Sequence, residues 1–260
     1  RLFYRGMDIG TAKPTSREMA RVPHHLIDIA DPEETVGLAQ FIELAKAAID
    51  GIHDRGRLPF LVGGTGQYIR AIVRGWNPPA VPPQPDLRAE LEAVAEEEGP
   101  QALHDRLAEL DPPAAERIDH RNVRRVVRAL EVSIVTGEPF SAQRTRIPPP
   151  YHILQVGLTM DREALYNRVD ARLEAMIEAG LPQEVRSLLA EGYHWDLPAM
   201  SGLGYSQFRA YFEGRATMDE VVAEIQRDTR SFIRHQYNWF RPNSPNIVWF
   251  DVSQTEPHEV

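Results

Sequence analysis

The chain has 260 residues, 42% hydrophobic and 26% charged, which suits a globular protein with one domain and a subdomain, or with two domains. It has no cysteine, so disulfides and thiolate metal sites are excluded, and no run approaches the ~18 apolar residues of a membrane span. The formal net charge of −9 speaks against a general nucleic-acid binder, so any polyanion site must come from a local concentration of arginines.

Residues 1–14 read RLFYRGMDIGTAKP, an apolar opening followed by a loop with glycines at 6 and 10. The lack of an initiator methionine sets the expectation of a chain truncated upstream, and the lack of a signal-peptide pattern that of a cytoplasmic location. Such a loop either places Asp8, Thr11 or Lys13 near a phosphate or metal, or is a plain surface loop. His24–Pro32 reads as a short extended segment. Ala39–His53 repeats Phe41, Ile42, Ala45, Ala48, Ile49 and Ile52 at helical spacing, and Gly56 stops it. Leu58–Tyr68 then runs LPFLVGGTGQY. Its apolar run predicts a strand covered on both faces, feeding a glycine turn and a helix through Tyr68, Ile69, Ile72 and Val73. A glycine turn there suits close approach to a phosphate, with Thr65 as its one hydroxyl and Gly63 and Gly64 as backbone donors; it also suits a tight connection without a ligand.

Trp76–Pro85 holds five prolines and predicts a stiff connector where the chain leaves one structural unit. Asp86 is expected to cap a helix bearing Leu87, Leu91 and Val94, and Pro100 to open another bearing Leu103, Leu107 and Leu110. Arg121–Thr136 predicts a helix with Arg121, Arg124, Arg125 and Arg128 on one face and Val123, Val126, Val127, Leu130 and Ile134 opposite. Those arginines either pair with nearby carboxylates or hold a polyanion; within this helix only Glu131 stands close enough to help neutralise them.

His152–Leu158 reads as a strand, Arg162–Ala179 and Gln183–Glu191 as helices, and His194–Gln207 as a loop. Thr217–Glu220 fits a capping box opening a long helix to about Phe240. Its apolar face is Val221, Ile225, Phe232, Ile233, Trp239 and Phe240, with Thr229 and Gln236 inside that arc. Asn246–Val252 predicts a closing strand.

Four stretches carry a family resemblance. Tyr4–Pro14 (YRGMDIGTAKP) resembles a signature of the tRNA dimethylallyltransferases, and Leu61–Thr65 (LVGGT) a second motif of that family. Arg124–Val132 (RRVVRALEV) and Arg234–Arg241 (RHQYNWFR) resemble a third and a fourth, in the family's order and over nearly the whole chain. The resemblance implies a P-loop-kinase-like parallel α/β core with a helical insertion lobe that grips the anticodon stem-loop. It implies dimethylallyl transfer from its diphosphate to the exocyclic amine of the adenosine beside the anticodon, with magnesium as the metal; the sequence leaves oligomeric state open, with a monomer expected. Thr65 falls at the reaction centre. Arg1, Leu2, Arg88, Arg124, Arg125, Val126, Val127 and Arg128 fall on tRNA, as do Arg234, His235, Gln236, Tyr237, Asn238 and Trp239. Tyr68 and Trp239 are aromatic candidates for stacking on loop bases, and Lys13 is a phosphate candidate from loop composition.

The family's Gly-x-x-x-x-Gly-Lys-Ser/Thr loop and its general-base aspartate have no match, and both are expected upstream of Arg1. Neither Asp8 nor Asp28 stands in for that base. Ser201 replaces a larger polar residue common in the family. The expected layout is a core over 1–160, a helical tRNA-gripping lobe over 161–230 and a return to the core over 231–260, with 76–145 as the other candidate lobe. A nucleotide or metabolite kinase and a catalytically dead RNA-binding module are the alternative readings.

Overall fold

The computed structural model describes residues 1–255; the last five positions of the expected return segment lie outside the described residues. The chain opens with α1 (Ser16–Arg21), α2 (Leu38–Asp54) and α3 (Gly66–Val73). β1 (Trp76–Asn77), α4 (Pro85–Glu97), α5 (Pro100–Leu110), α6 (Pro112–Ala115), α7 (Val123–Thr136), α8 (Phe140–Gln143) and β2 (Thr145–Arg146) follow. β3 (Val156–Thr159), α9 (Arg162–Glu178), α10 (Leu181–Ala190), α11 (Phe208–Phe212), α12 (Met218–Trp239) and β4 (Val248–Asp251) complete the order.

By contacts the chain forms two compact units, Arg70–Pro150 and Arg1–Ile69 together with the chain from Tyr151 onward. The segment 161–230 lies within the second of these, and 76–145 within the first.

The unit of Arg70–Pro150 is a helical cluster. Leu91 of α4, Leu103 and Leu107 of α5, Ala114 and Ala115 of α6, and Val126, Val127, Ala129 and Leu130 of α7 bury one shared core. Pro85 and Pro100 stand in the first turns of α4 and α5, where a missing N–H costs nothing. Asp86 lies inside α4's first turn and does not cap it, because the helix already starts at Pro85. β1 and β2 pair antiparallel, Trp76 opposite Arg146, and so close the unit at both ends of its sequence.

In the other unit, β3 and β4 pair in parallel, Val156 opposite Val248, and Tyr4 makes a parallel bridge to Ala30. These parallel pairings among many helices give the expected α/β class. The core gathers Tyr4 and Met7 from the opening loop, Leu181, Val185 and Leu188 from α10, Met200, Tyr205 and Phe208, and Val221 and Ile225 from α12. Thr217 forms the expected capping box with Glu220.

One strand expectation fails. Leu58–Val62 pairs with no strand among the described residues, and Leu58, Phe60 and Val62 are 73%, 81% and 87% exposed. A run of apolar residues says what would gain from cover. A strand also needs another backbone about 4.8 Å away, which the run does not specify. Ile134 and Phe232, placed on apolar helix faces by their spacing, are likewise exposed.

Candidate functional site

The glycine turn is shaped by α12. The Gln236 side-chain amide donates to the Gly64 carbonyl at 3.1 Å, joining two stretches 172 positions apart. A Cβ on Gly64 would lie 2.1 Å from Gln236 Nε2, and one on Gly66 would lie 2.2 Å from Trp239 Cγ. The bare backbone is therefore what lets α12's last turns come down on the loop. Thr65, between those glycines, is exposed, and its carbonyl accepts from the Tyr68 and Ile69 amides to start α3. Tyr68 stacks on Phe41 at 4.3 Å between ring centroids and lies 5.8 Å from Phe3. The ring face on Phe41 is thus committed to packing α3 against α2.

Of the α12 residues named from sequence, Arg234, His235 and Asn238 are exposed, Tyr237 is half-buried, and Gln236 and Trp239 meet the loop. Arg1 donates to the Ser201 hydroxyl at 3.1 Å and to the Pro198 carbonyl, while Ser201 donates to that same carbonyl at 2.8 Å. Ser201 thus serves as a partner of Arg1. Leu2 is partly exposed, and its carbonyl accepts from the Asp28 amide at 3.1 Å.

The opening loop is held from within. Glu184 of α10 accepts from the amides of Asp8, Ile9 and Gly10 at 2.9, 2.7 and 3.1 Å, and from the Tyr205 hydroxyl at 2.6 Å. Three successive N–H groups aimed at one point make an anion cradle, and a carboxylate of the chain fills it. Burial, then the hydrogen bond and charge of Glu184, push the Tyr205 phenol far above its usual range. Lys13 is only 5% exposed at its side chain and donates to the Tyr4 carbonyl and to the Asp8 and Asp28 carboxylates. Its three donors are all engaged, so the structure makes Lys13 an internal tie and corrects its expectation as a phosphate ligand. Thr11 likewise donates inward, to the Met7 carbonyl at 2.6 Å. Gly63 is exposed just before the turn.

In the helical unit the arginine stripe divides. Arg121 precedes α7, whose N-cap is Asn122, and pairs with Asp119. Glu131 is 0% exposed and receives Arg88 through two bonds of 2.7 and 2.9 Å, Arg128 at 2.6 Å and the Gln84 amide at 2.7 Å. Burial alone would raise the Glu131 carboxyl, but the Arg88, Arg128 and Gln84 hydrogen bonds outweigh it and hold the group down at about 2. Arg128 also donates to the Val81 carbonyl at 2.9 Å, tying α7 to the proline connector. Arg88 and Arg128 are therefore oriented from behind, and Arg124 and Arg125 extend into solvent. Val126 and Val127 are buried, so their side chains serve α7 by packing and do not face a ligand.

Sequence reasoning missed Glu184 and Tyr205, because neither belongs to a motif and their partners lie far along the chain. It noted Glu131 only as a neutraliser of the stripe on its own helix. The Arg88 contact from α4 was not foreseen. Among the described residues, no group of three or more His, Cys, Asp or Glu stands ready to hold a metal ion.

A family model described as IPP transferase matches residues 2–243. A tRNA dimethylallyltransferase from Roseiflexus sp. (strain RS-1) is 59% identical over 248 residues, 95% of this chain and 81% of that relative. Another, from Chloroflexus aurantiacus (strain J-10-fl), is 56% identical over 250 residues, 96% of this chain and 84% of its own. Among solved structures, the tRNA isopentenylpyrophosphate transferase of Bacillus halodurans aligns with a TM-score of 0.67 at 44% identity, covering 96% of this chain and 78% of its own. A eukaryotic dimethylallyltransferase acting on tRNA aligns with a TM-score of 0.75 at 22% identity, covering 97% of this chain and 66% of its own, which shows the shared fold.

Proposed function

The chain belongs to the IPP transferase family, and on that footing we propose that it transfers a dimethylallyl group from dimethylallyl diphosphate to the exocyclic amine of the adenosine 3′ of the anticodon in tRNA. The amine nitrogen forms the new bond to carbon, the carbon–oxygen bond breaks with its electron pair leaving on pyrophosphate, and the amine gives up a proton. The observation that carries the reading is the junction of Gly64–Thr65–Gly66 with Gln236 and Trp239, where two family-like motifs meet with no room for a Cβ.

Thr65 is the hydroxyl offered at that junction, and Gly63 and Gly64 leave backbone near the leaving group. An adenine amine inside a stacked loop is shielded, so the base leaves the stack before transfer, at a cost an anticodon loop keeps modest. Arg234, His235, Tyr237, Asn238 and Trp239 line the α12 end beside the junction and contact the tRNA there; Arg1 and Leu2 contact the target nucleotide. Arg88, Arg124, Arg125 and Arg128 hold tRNA phosphates as charge-assisted forks, with Glu131 fixing two of them. The helical unit 70–150 is the lobe that grips the anticodon stem. Magnesium reaches the reaction on the diphosphate. Among the described residues, no group of three or more His, Cys, Asp or Glu stands ready to hold it. The protein acts as a monomer in the cytoplasm, and among the described residues no helix is long and apolar enough to cross a membrane.

The test is transfer of label from dimethylallyl diphosphate to unmodified tRNA by the full-length protein. Label on the adenosine beside the anticodon is the expected result. Tight tRNA binding without label would overturn the transferase reading in favour of an RNA-binding protein, and phosphoryl transfer from ATP would point to a kinase.

A further inference from the structure

The helical unit carries a second group of arginines, of which its sequence motifs mark only Arg125. Arg117 follows α6, Arg125 lies on α7, Arg144 follows α8 and Arg146 ends β2; all four are exposed. The fold fixes the backbones from which they project. Ser141 donates to the buried Asp111 carboxylate through its amide at 2.7 Å and its hydroxyl at 2.6 Å, and the Phe140 amide donates to the Ser133 hydroxyl at 3.0 Å. These bonds pin α8 to the start of α6 and to α7, so Arg144 emerges beside Arg117 and Arg125. The Arg144 guanidinium lies 5.4 Å over the Phe140 ring, a geometry that limits its freedom. Thr145 and Arg146 pair with Asn77 and Trp76, and Asn77 donates to the Thr145 hydroxyl at 3.0 Å. Residues two apart on extended backbone share a face, which sets Arg144 and Arg146 side by side.

These cations differ from the paired arginines of the unit. Arg88, Arg106, Arg121 and Arg128 of the same unit each pair with a carboxylate, whereas among the described residues none of Arg117, Arg125, Arg144 and Arg146 does. Partial burial, then repulsion from Arg125, Arg146 and Arg117, holds the Arg144 guanidinium below its ordinary range. A chain of net charge −9 has left Arg125, Arg146 and Arg117 around Arg144 with no carboxylate among the described residues paired to any of the four, an arrangement that an anion would stabilise. One small anion would satisfy one fork. Four forks projecting from four elements fit a row of phosphates.

We propose that Arg117, Arg125, Arg144 and Arg146 form a sequence-blind ridge that holds the phosphate backbone of an RNA stem. The inference rests on the reading that the protein acts on tRNA and deepens it, adding Arg117, Arg144 and Arg146 to the residues that recognise the substrate. The ridge reads no base. It adds affinity and encounter rate and leaves the chemical step alone.

The test uses the full-length protein, with R144Q/R146Q and R144K/R146K double variants and the R117Q single variant. Binding of unmodified tRNA is measured across a salt series, beside KM for tRNA, kcat for dimethylallyl transfer and the thermal midpoint. At roughly 0.1 M salt the R144Q/R146Q variant is expected to raise Kd and KM for tRNA about tenfold with kcat unchanged. The slope of log affinity on log salt should become shallower by about 2, and R117Q should remove about 1. The lysine variant keeps most of the slope, and changing the stem's sequence leaves the loss the same. Unchanged affinity and slope in an active R144Q/R146Q enzyme would overturn the ridge alone. A fall in kcat with a lowered thermal midpoint would overturn it in favour of a structural role. A wild-type protein that binds no tRNA would overturn the functional reading and the ridge together.

Discussion

Glu184 and Glu131 do the same job in the two units with different partners. Glu184 gathers neutral donors, three backbone amides of the opening loop and the Tyr205 hydroxyl. Glu131 gathers mainly charged ones, Arg88 and Arg128, with one amide from Gln84. The first arrangement fixes a backbone, so the loop keeps one shape whatever the salt. The second fixes side chains whose outer edges remain open to solvent, so two arginines are aimed without being consumed. A carboxylate can thus preorganise a backbone or a charge, and the two should fail in different ways.

The largest effect is expected for Glu184→Ala. Three amides and a phenol would lose their acceptor together, and part-buried donors left unmet cost on the order of 1 kcal/mol or more each. A loss of about 3 kcal/mol in urea unfolding is expected, with transfer activity falling at every salt concentration. Retention of full stability would show that water replaces the carboxylate and that the loop does not depend on it.

Gly66→Ala comes next. Its Cβ would meet the root of the Trp239 side chain, Cγ at 2.2 Å and Cβ at 2.5 Å, which yields only if α12 shifts. Gly64→Ala meets the far end of Gln236 instead, and that amide can swing aside. Kinetics should therefore separate the pair, with kcat/KM falling about 30-fold for Gly66→Ala, near 2 kcal/mol, and clearly less for Gly64→Ala. Equal losses would show that the loop tolerates no Cβ at all, whatever α12 does.

Glu131→Gln sharpens the contrast from the charged side. Arg88 and Arg128 are partly exposed and can rehydrate, so about 2 kcal/mol is expected, less than for a fully enclosed pair. The accompanying signature is a raised KM for tRNA with kcat little changed, because aim and not chemistry is lost. The acid response follows from the sign of the shift. The Glu131 carboxyl is held at about 2 against an ordinary 4.5, so its contribution is complete above about 4.5 and disappears as pH falls toward 2. Stability measured down that window should drop in the wild type, and the drop should be smaller in Glu131→Gln. Superimposable acid profiles would remove Glu131 from the account.

How far the sequence foretold this arrangement depended on range. Helices α2, α7 and α12 were legible because their apolar positions recur at helical spacing and Thr217 announces its own capping box. The glycine turn was legible as a place of close approach, but not what approaches it, since the motif resemblance put Gln236 and Trp239 on tRNA and only the fold brings them to the turn. The strand at Leu58–Val62 was misread because apolarity does not say whether a neighbouring backbone is present. Lys13 was misread because a lysine in a glycine-rich loop carries no sign of the Asp28 that claims it. Glu184 lies 174 to 176 positions from the amides it holds, and no periodicity or local motif reports such a partner. Local chemistry is written locally, and the carboxylates that set each site act across the fold.

The smallest expected effect, and the one that decides what Glu184 is for, is Tyr205→Phe. The ring lies in the core and a phenyl would fill its place, so packing is kept while one hydrogen bond of 2.6 Å is lost. Glu184 would retain its three amide donors, and a hydrogen bond to a charged group is worth about 1.5 kcal/mol. A loss near that figure, with transfer activity close to wild type, would assign the carboxylate to the loop backbone and leave the phenol as a support. A loss as large as that of Glu184→Ala would reverse the order. The tyrosine would then be the group that places Glu184, and the neutral half of the comparison would rest on a side chain after all.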